Sequence, residues 1–328
     1  MSAEPKSGHN PCAMACRHTI LTHAMECVSV IIVSHNTAGL LVECLSRLHE
    51  SQLDHPLDIY VVDNASTDGT QSLLRRTFPE VKTIVAPRNL GFAGGNNLAL
   101  QQILANVPAG VDRCARGVLL LNSDCFVDVD TVRLTSRFLD DHPEAGVVGP
   151  KLVLRDGELD LACRRSFPTP GSAFFKLTGL ARRFPNNPRF ARYNLTFLDP
   201  NEIAEVDSVV GAYMFVRLAA IDDAGLLDES FFMYGEDLDW AFRIKEHGWK
   251  VYYYPEARAL HFKGASSSRS SYRLIIEFYR AMYLFHRKHY APNTFVLLNW
   301  LIAAGIFVRG CIALGLNLAR PATNKRVA

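Results

Sequence analysis

A short polar segment, Asn122-Ser123-Asp124, follows an apolar run and offers the ligands that a divalent cation prefers. The run, residues 117–121, has the length and composition of a buried strand. A carboxylate at the carboxyl end of such a strand, with a polar side chain two positions earlier, can hold Mg²⁺ or Mn²⁺ through oxygen atoms. A cation held there can neutralise the charge of a departing diphosphate. The alternative is an ordinary turn in which the aspartate caps the next helix.

A second cluster of acids opens a predicted amphipathic helix at residues 236–247. Glu236, Asp237 and Asp239 lie in its first turn, where negative charge interacts favourably with the helix dipole. One acid would be enough for that purpose, and the preceding residues 231–234 are mostly aromatic. An aromatic segment that leads into an acid cluster is typical of a cleft wall with a general base at its end.

Other polar residues come where predicted strands end. Asp63 has no capping duty in this interpretation and could accept a hydrogen bond from a base or ribose. The glycine-rich residues 88–97 lead into a helix, whose backbone N–H groups could face an anion. This segment matches neither the P-loop nor the dinucleotide fingerprint, so a plain turn remains the alternative. The strand-end pairs are His35-Asn36, Asp63-Asn64 and Arg88-Asn89.

His261 ends a short apolar segment near the end of the predicted catalytic region. A lone histidine in such a context is more often a core residue than a metal ligand. A cation at Asp124 would favour the ligand role, since imidazole nitrogen also binds metals. Both interpretations remain open at this point.

Strand-like and helical patterns alternate over the first 121 residues, which predicts βαβ units and a parallel sheet. The predicted strands are residues 28–34, 57–62, 81–86 and 117–121, and the helices are residues 40–48, 68–77 and a stretch that ends near 106. In such sheets, ligands bind at the carboxyl ends of the strands. We therefore predict an α/β fold with a site at that edge.

The pattern changes after residue 155. Residues 155–205 are irregular and rich in Arg, Pro and Asn, as expected of a long excursion. Regular structure returns as predicted strands at 206–216, 250–254 and 258–262 and predicted helices at 217–228 and 236–247.

Composition excludes several classes of protein. The chain has 328 residues, 48% hydrophobic and 21% charged, which is ordinary globular usage. Its 35 Lys and Arg against 33 Asp and Glu give a net charge of +2, so we expect no nucleic-acid partner. The eight cysteines show no zinc-like spacing and predict reduced thiols in a cytosolic protein. Residues 1–26 show no apolar signal core and are predicted to be a disordered extension.

The last part of the chain predicts two helices. Residues 272–290 place Arg273, Arg280 and Arg287 one heptad apart, in a basic stripe beside an apolar face. Residues 295–319 are strongly apolar, with Asn299, Arg309 and Asn317 confined to a sector of about 80°. Such a helix suits a membrane interface, with a break expected near Gly305 or Gly310.

Seven motifs in order give the chain a resemblance to glycosyltransferase family 2, over residues 28 to about 268. They are VSVIIVSHN, YVVDNASTDGT, PRNLGFAGGNN, LLLNSD, VVGAYMFVR, DESFFMYGEDLDWAFRIKEHGWKVYYYP and ALHFKGASS. The family consists of inverting transferases that use nucleotide-sugars and have a GT-A fold. Within it, the chain most resembles the rhamnosyltransferase-like branch, which acts on precursors of cell-surface polysaccharides.

The resemblance implies a role for individual residues. Donor-binding roles fall on Val33, His35, Asn36, Asp63, Arg88, Asn97, Asn122, Ser123 and Asp124. Asp63 would read the pyrimidine, Arg88 would contact the base or diphosphate, and Asn97 would support that pocket. Asn122 and Asp124 take the first and last places of the family's D-x-D motif, where Asn122 departs from aspartate and removes one charge.

The remaining roles that the resemblance implies concern the metal, the base and the acceptor. Asp124 would hold Mg²⁺ or Mn²⁺, joined in some relatives by a histidine that corresponds to His261. Asp237 matches the base of the family's Glu-Asp motif and would deprotonate the acceptor hydroxyl, so that one displacement inverts the anomeric carbon. Glu236, Asp239 and Trp240 would lie on the acceptor side, although the two acids also suit helix and packing roles.

Three other functions compete with this interpretation. A nicotinamide-dependent oxidoreductase would need G-x-G-x-x-G after the first strand, where this chain has Ser34-His35-Asn36-Thr37. A nucleotidyltransferase would need a glycine-rich basic segment there. A non-catalytic sugar-nucleotide-binding scaffold would not need both Asp124 and Asp237. A transferase of another UDP-, dTDP- or GDP-linked sugar on the same fold remains open.

The expected organisation and partners follow from the resemblance. Residues 27–268 would form the GT-A domain, with a nucleotide-sugar-binding half at 27–154 and an acceptor-binding half at 155–268. Residues 269–328 would be a helical, membrane-associated region. The expected partners are a nucleotide-sugar donor, a lipid-linked glycan acceptor and a membrane surface, with a homodimer as a further possibility. The protein would be cytoplasmic and peripheral at the inner face of the plasma membrane.

Overall fold

The computed structural model describes residues 27–108, 110–263 and 271–319. The predicted N-terminal extension, residues 1–26, lies outside them. The strands are β1 (Cys27–Ser34), β2 (Leu57–Asp63), β3 (Lys82–Val85), β4 (Arg116–Asn122), β5 (Cys125–Val127), β6 (Ala145–Val153), β7 (Ala204–Val206), β8 (Tyr213–Arg217) and β9 (Lys250–His261).

Helices cover the sheet and form the C-terminal part of the chain. The α-helices are α1 (Ala38–His49), α2 (Thr70–Thr77), α3 (Gly91–Asn106), α4 (Thr131–Asp141), α5 (Pro170–Leu177), α6 (Leu180–Arg183), α7 (Leu218–Ala224), α8 (Glu236–Glu246), α9 (Ser271–Phe285) and α10 (Val296–Ala319). Short 3₁₀ turns occur at Arg113–Ala115, Leu161–Cys163 and Ala291–Asn293, and a π-helical turn at His286–Tyr290 follows α9.

One sheet holds the described strands together, in the order β3-β2-β1-β4-β8-β6-β9-β5, with β7 beside β9. The N-terminal strands β3, β2, β1 and β4 are all parallel, as predicted. Beyond β4 the sheet is mixed, because β8 is antiparallel to both β4 and β6. The register sets Ser34 beside Asp63 and Val33 beside Asn122, so the predicted strand-end residues share one edge.

Burial explains why β1 and β4 are central. Val30, Ile31 and Ile32 are fully buried, and Leu119 and Leu120 are equally enclosed in β4. Strands that are covered on both faces have continuous apolar sequences rather than alternating apolar and polar residues. Both β1 and β4 have such continuous apolar sequences. The sheet core therefore fixes the strand ends on which the site is built.

Two strand predictions differ from the structure. The predicted strand 206–216 is divided into β7 and β8, because backbone groups of Asp207 and Ser208 bond to Arg165 instead of continuing the ladder. The two predicted strands at 250–254 and 258–262 form the single strand β9. Residues 255–257 of β9 lie opposite the step from Pro150 to Lys151 in β6, where the register shifts, so β9 stays paired on both sides.

The C-terminal helices α9 and α10 pack against each other through the polar sector of α10. His286 lies 2.8 Å from the Asn299 side-chain oxygen, and Gly310 sits against the ring of Tyr279. Asn317 is buried as well. Helix α10 continues through Gly305 and Gly310, so the expected break there is wrong. Its polar residues face protein rather than water.

The opposite surface of α10 is apolar and open. Its large side chains are exposed, including Trp300 (71%), Phe307 (71%) and Leu318 (71%), as is Phe295 (74%) just before the helix. Among the described residues, α10 is the helix that is long and apolar enough to cross a membrane. Its 24 residues span about 36 Å, against about 30 Å of hydrocarbon in a bilayer.

Candidate functional site

Hydroxyl and amide groups join the loops that follow β1, β2 and β4. Thr37 lies within 3.0 Å of both the Ser34 and the Ser123 hydroxyl oxygen, which links the first loop to the third. The Asn36 side chain accepts a hydrogen bond from the Thr67 amide at 2.7 Å, with Asn36 held at a φ of 56°. Asparagine adopts the left-handed backbone more readily than most other non-glycine residues, so it suits this tight loop.

Asp63 is fully buried, and both of its carboxylate oxygens are already engaged. One accepts the Ser66 amide at 3.0 Å and the other accepts the Gln71 side chain at 2.6 Å. Asp63 does not cap α2, whose N-cap position is Gly69, and its carboxylate organises the β2–α2 loop instead. His35 is exposed, its Nδ1 donates to the Asn64 carbonyl at 2.8 Å, and its Nε2 lies 3.4 Å from the side-chain nitrogen of Asn36.

The glycine-rich segment, residues 88–97, packs closely against neighbouring parts of the protein. The Gly91 and Phe92 amides donate to Asn89 and to the Phe232 carbonyl at 2.9 and 2.8 Å. A Cβ on Gly91 would come within 2.0 Å of that carbonyl oxygen, and one on Gly95 would meet Val33 at 2.8 Å. Because protein groups take these amides, the structure favours the turn over the anion site.

The other donor-side residues divide into exposed and enclosed groups. Arg88 is exposed and follows the end of β3. Asn97 is buried, where it bonds both backbone groups of Leu227 and the Glu229 carboxylate. Asn97 therefore supports the site from behind and ties α3 to the loop before α8.

Asp124 and His261 meet at the end of the sheet, as expected of two ligands of one cation. Both are nearly buried, and His261 Nε2 lies 3.7 Å from a carboxylate oxygen of Asp124. The other ring nitrogen, Nδ1, lies 2.8 Å from Asp160. Asn122 is half-buried and its side chain hydrogen-bonds Asp124. Burial raises the pKa of Asp124, and the nearby His261 offsets that effect in part.

These residues fit a divalent cation that also binds the donor. A buried carboxylate without a close cationic partner is costly, and a metal ion would compensate it. Among the described residues, no group of three His, Cys, Asp or Glu side chains converges to hold a metal alone. Asp124 and His261 would thus supply two ligands, and oxygens of the donor and water would supply the others.

Asp237 lies at the start of α8 in a buried ion pair. Its Oδ2 accepts Arg165 at 2.7 Å and the Gly211 amide at 3.0 Å. The adjacent Ala212 carbonyl accepts the Asn122 amide at 2.9 Å. One short segment therefore connects the predicted base with the predicted metal site. Burial works against the charge of Arg165, but Asp237 and Tyr193 together outweigh it and raise the pKa of the guanidinium.

Glu236 is buried next to this ion pair. Burial, with the charge of Asp237 as the second cause, raises its pKa to about 8. Its Oε2 has no hydrogen-bond partner within the described part of the chain. The preceding Tyr234 has a φ of 70°, a strained value for a bulky residue. Burial therefore favours the uncharged form of Glu236, and its Oε2 is free to bind.

Two of the expected acceptor-side residues have structural positions instead. Trp240 is fully buried, and its indole donates to the Gly225 carbonyl at 2.8 Å, so it cannot touch an acceptor. Asp239 is also fully buried and binds Arg243, Lys288 and His289 at 2.8 to 2.9 Å. Trp240 is therefore a core residue and its expected acceptor-side role is wrong, whereas Asp239 has the packing role that the sequence also allowed.

Asp239 should contribute strongly to stability, because it joins α8 to the turn before α10. We expect Asp239→Asn to lower the free energy of unfolding by about 2–3 kcal/mol. This is below the usual loss for a broken buried ion pair, because Lys288 retains its ion pair with Asp228 in the variant. Burial raises the pKa of Asp239, but His289, Lys288 and Arg243 outweigh it and lower the pKa. The contribution is therefore present above pH about 4 and lost as pH falls through the lower folded pKa.

Chemical denaturation at pH 7 and pH 3 measures this effect. The exposed Asp58, paired with Lys82 at 3.0 Å, provides the control Asp58→Asn, with an expected effect below about 1 kcal/mol. Equal destabilisation by the two variants at pH 7 would contradict the assignment.

Two site residues come from the irregular segment 155–205, which sequence reasoning left without roles. Arg165 holds Asp237 and Asp160 holds His261. Their contacts span 72 and 101 residues, so no local spacing indicates them.

The cysteines are expected to be reduced thiols. Cys44, Cys125, Cys163 and Cys311 are free thiols, whereas Cys114 is disulfide-bonded and departs from that expectation.

Two relatives match most of the chain. The N-acetylglucosaminyl-diphospho-decaprenol L-rhamnosyltransferase of Mycobacterium tuberculosis is 25% identical over 302 residues, which cover 92% of this chain and 97% of that protein. The low-salt glycan biosynthesis hexosyltransferase Agl10 of Haloferax volcanii is 23% identical over 296 residues, 86% of each chain.

Solved structures share the fold at low identity. TarS of S. aureus in complex with UDP-GlcNAc has a TM-score of 0.51 at 18% identity, covering 85% of this chain and 71% of that one. GalNAc-T7 with UDP, GalNAc and Mn²⁺ has a TM-score of 0.53 at 14% identity, covering 80% of this chain and 48% of that one. These neighbours establish the GT-A fold that the motifs predict. The family model described as "Glycosyltransferase like family 2" matches residues 25–278, and the chain belongs to that family.

Proposed function

We propose that the protein transfers a sugar, with inversion, from a nucleotide-sugar to a hydroxyl of a lipid-linked acceptor. The observation that carries this proposal is the connection through Gly211 and Ala212. It binds Asp237 on one side and the Asn122-Ser123-Asp124 segment on the other. A base and a diphosphate-binding edge on one rigid segment are the two elements that a single displacement requires.

The donor would bind along the strand ends, in the half formed by residues 27–154. The exposed His35 and Arg88 are available there. Asn36 lies beside them with its side-chain oxygen bonded to Thr67, while Asp63 and Asn97 keep the loops in place. Bound at Asp124 and His261, a divalent cation would stabilise the nucleoside diphosphate as leaving group. Asn122 and Ser123 would complete this edge.

Asp237 would act as the general base. Gly211 and Arg165 fix the Oδ2 atom of its carboxylate, so its orientation toward the acceptor is preset. It would take the hydroxyl proton as the oxygen attacks the anomeric carbon from the face opposite the diphosphate. Glu236, protonated at neutral pH, would donate a hydrogen bond on the acceptor side. The acceptor-binding half would be residues 155–268.

The proposed sugar is L-rhamnose from dTDP-rhamnose, with an acceptor of the polyprenyl diphosphate type. The likeness to the M. tuberculosis rhamnosyltransferase over nearly its whole length supports this choice. A screen of dTDP-rhamnose against UDP- and GDP-sugars tests it, with release of nucleoside diphosphate in the presence of Mn²⁺ as the readout. The highest release is expected with dTDP-rhamnose, and a clear preference for a UDP-sugar would replace rhamnose in the proposal.

The exposed apolar face of α10 supports an activity at the membrane surface. We place the protein at the cytoplasmic face of that membrane. Because the polar sector of α10 packs toward α9, its outward surface presents only apolar and small groups to lipid. Arg273, Arg280 and Arg287 are exposed on α9 and the turn after it, where they suit anionic headgroups. Arg287 is the clearest candidate, because Arg280 pairs with Glu277 at 3.1 Å and Arg273 lies over the ring of Phe232. Lys288, next to Arg287, is instead paired with Asp228 and Asp239.

Removing the apolar side chains of α10 should weaken membrane binding. Each large side chain contributes about 1.5–3 kcal/mol when transferred out of water. For the triple variant Trp300→Ser, Phe307→Ser, Leu318→Ser we therefore expect binding to fall at least about 100-fold. Flotation with vesicles that contain anionic lipid measures it.

The matched control is the pair Val85→Ser and Ile203→Ser, which removes apolar side chains of 52% and 50% exposure elsewhere on the surface. It should leave flotation unchanged. A wild-type protein that forms stable dimers through α10 in lipid-free buffer, and does not float, would support the homodimer and contradict the membrane role.

A further inference from the structure

We propose that Asp160 is a positioning residue for the cation site, which holds His261 in one orientation and one tautomer. This inference rests on the proposed function, in which Asp124 and His261 hold the cation. Asp160 belongs to none of the seven family motifs and lies in the irregular segment after β6.

The Asp160 carboxylate is itself immobile. It is 1% exposed, and its Oδ1 accepts the Ala162 amide and the Lys263 ammonium, each at 3.0 Å. Its own amide donates to the Leu152 carbonyl at 2.9 Å, and its carbonyl accepts the Cys163 amide. Only Oδ2 is left, and it points at His261 Nδ1, 2.8 Å away.

His261 is fixed from the strand as well. It pairs with Cys125 in the antiparallel β5–β9 ladder, and the next amide, that of Phe262, donates to the Asp124 carbonyl at 2.8 Å. The ring therefore lies between two carboxylates. The 3.7 Å between Nε2 and Asp124 is too long for a hydrogen bond, whereas Nδ1 is well bonded to Asp160.

This asymmetry decides where the proton of a neutral imidazole resides. A carboxylate can only accept, so Asp160 holds the proton on Nδ1 and leaves the lone pair of Nε2 free toward Asp124. That is the state a histidine must have to bind a metal. Carboxylates behind metal-binding histidines typically contribute 10- to 100-fold, in approximate terms, to metal affinity.

Asp160→Asn tests the inference, because the side-chain amide can donate to Nδ1 and so favours the opposite tautomer. Long-range ¹H–¹⁵N NMR of the metal-free protein reads the tautomer of His261. We expect Nδ1–H in the wild type and a shift toward Nε2–H in Asp160→Asn. Mn²⁺ binding, measured by EPR in the presence of dTDP, should weaken by about 10- to 100-fold.

The matched control is Asp156→Asn, an exposed aspartate in the same loop, which should change neither readout. Nε2–H in the wild type would overturn the inference whether or not the variant folds. Mn²⁺ affinity within twofold of the wild type in a folded Asp160→Asn protein would also overturn it. Failure of the proposed function would appear separately, as absence of donor cleavage by the wild type in the donor screen.

Discussion

Turnover of the Asp237→Asn variant should fall by about 10²–10⁴, while its affinity for the donor stays unchanged. Asparagine keeps the shape of the side chain, and its oxygen can still accept from Gly211 and Arg165. It loses the hydrogen bond from the Leu238 amide to Oδ1, and it cannot take a proton. The loss should therefore appear in kcat rather than in donor binding. Steady-state kinetics and calorimetry with the nucleoside diphosphate measure the two quantities.

Glu236→Gln is the matched control, since the two acids are adjacent and both buried. Its raised pKa of about 8 means that Glu236 is mostly protonated at neutral pH, and glutamine resembles that form. We expect less than about a tenfold loss, because only a hydrogen bond changes. A hundredfold loss in Glu236→Gln with normal turnover in Asp237→Asn would move the base to Glu236.

Asp124→Ala should abolish transfer and remove the effect of Mn²⁺ on donor binding. The buried carboxylate has no close cationic partner among the described residues other than the histidine 3.7 Å away, so its loss leaves no unpaired cation in the core. Thermal stability should consequently be unchanged or higher, which separates loss of the site from loss of the fold. His261→Ala should have a smaller effect on transfer.

Calorimetry with and without Mn²⁺ gives the readout for Asp124. The control Asp128→Ala removes an exposed acid four residues later and should behave as the wild type. Unchanged donor affinity of Asp124→Ala in the presence of Mn²⁺ would take Asp124 out of the site.

Much of the fold follows from short-range pattern. The parallel strands β1 to β4 and helix α8 are visible in the sequence because apolar runs and 3.6-residue periodicity report burial directly. The strand-end position of Asp124 and the helix-start position of Asp237 follow in the same way. These two side chains were predictable because their places depend on local structure.

Other parts of the site depend on contacts that no local pattern carries. Arg165 and Asp160 reach the site from a segment without periodicity, through side chains that the fold encloses. Asp239 and Trp240 look like cleft residues beside Asp237, yet helix rotation turns them into the protein. Residue type gives the chemistry a side chain can do, and only the packed structure decides whether it meets solvent.

The ion pairs of Asp239 also fix the position of helix α8 relative to the start of α10. Helix α8 carries Asp237 and Asp239 within one turn, and Asp239 is bonded to Lys288 and His289 just before α10 begins. With α10 in the bilayer, Asp237 would stand at a fixed height above the lipid surface. The acceptor hydroxyl would have to reach that height. The protein would then select acceptors by the number of glycan units between the lipid and the attacked hydroxyl, independently of the stereochemistry of the sugar.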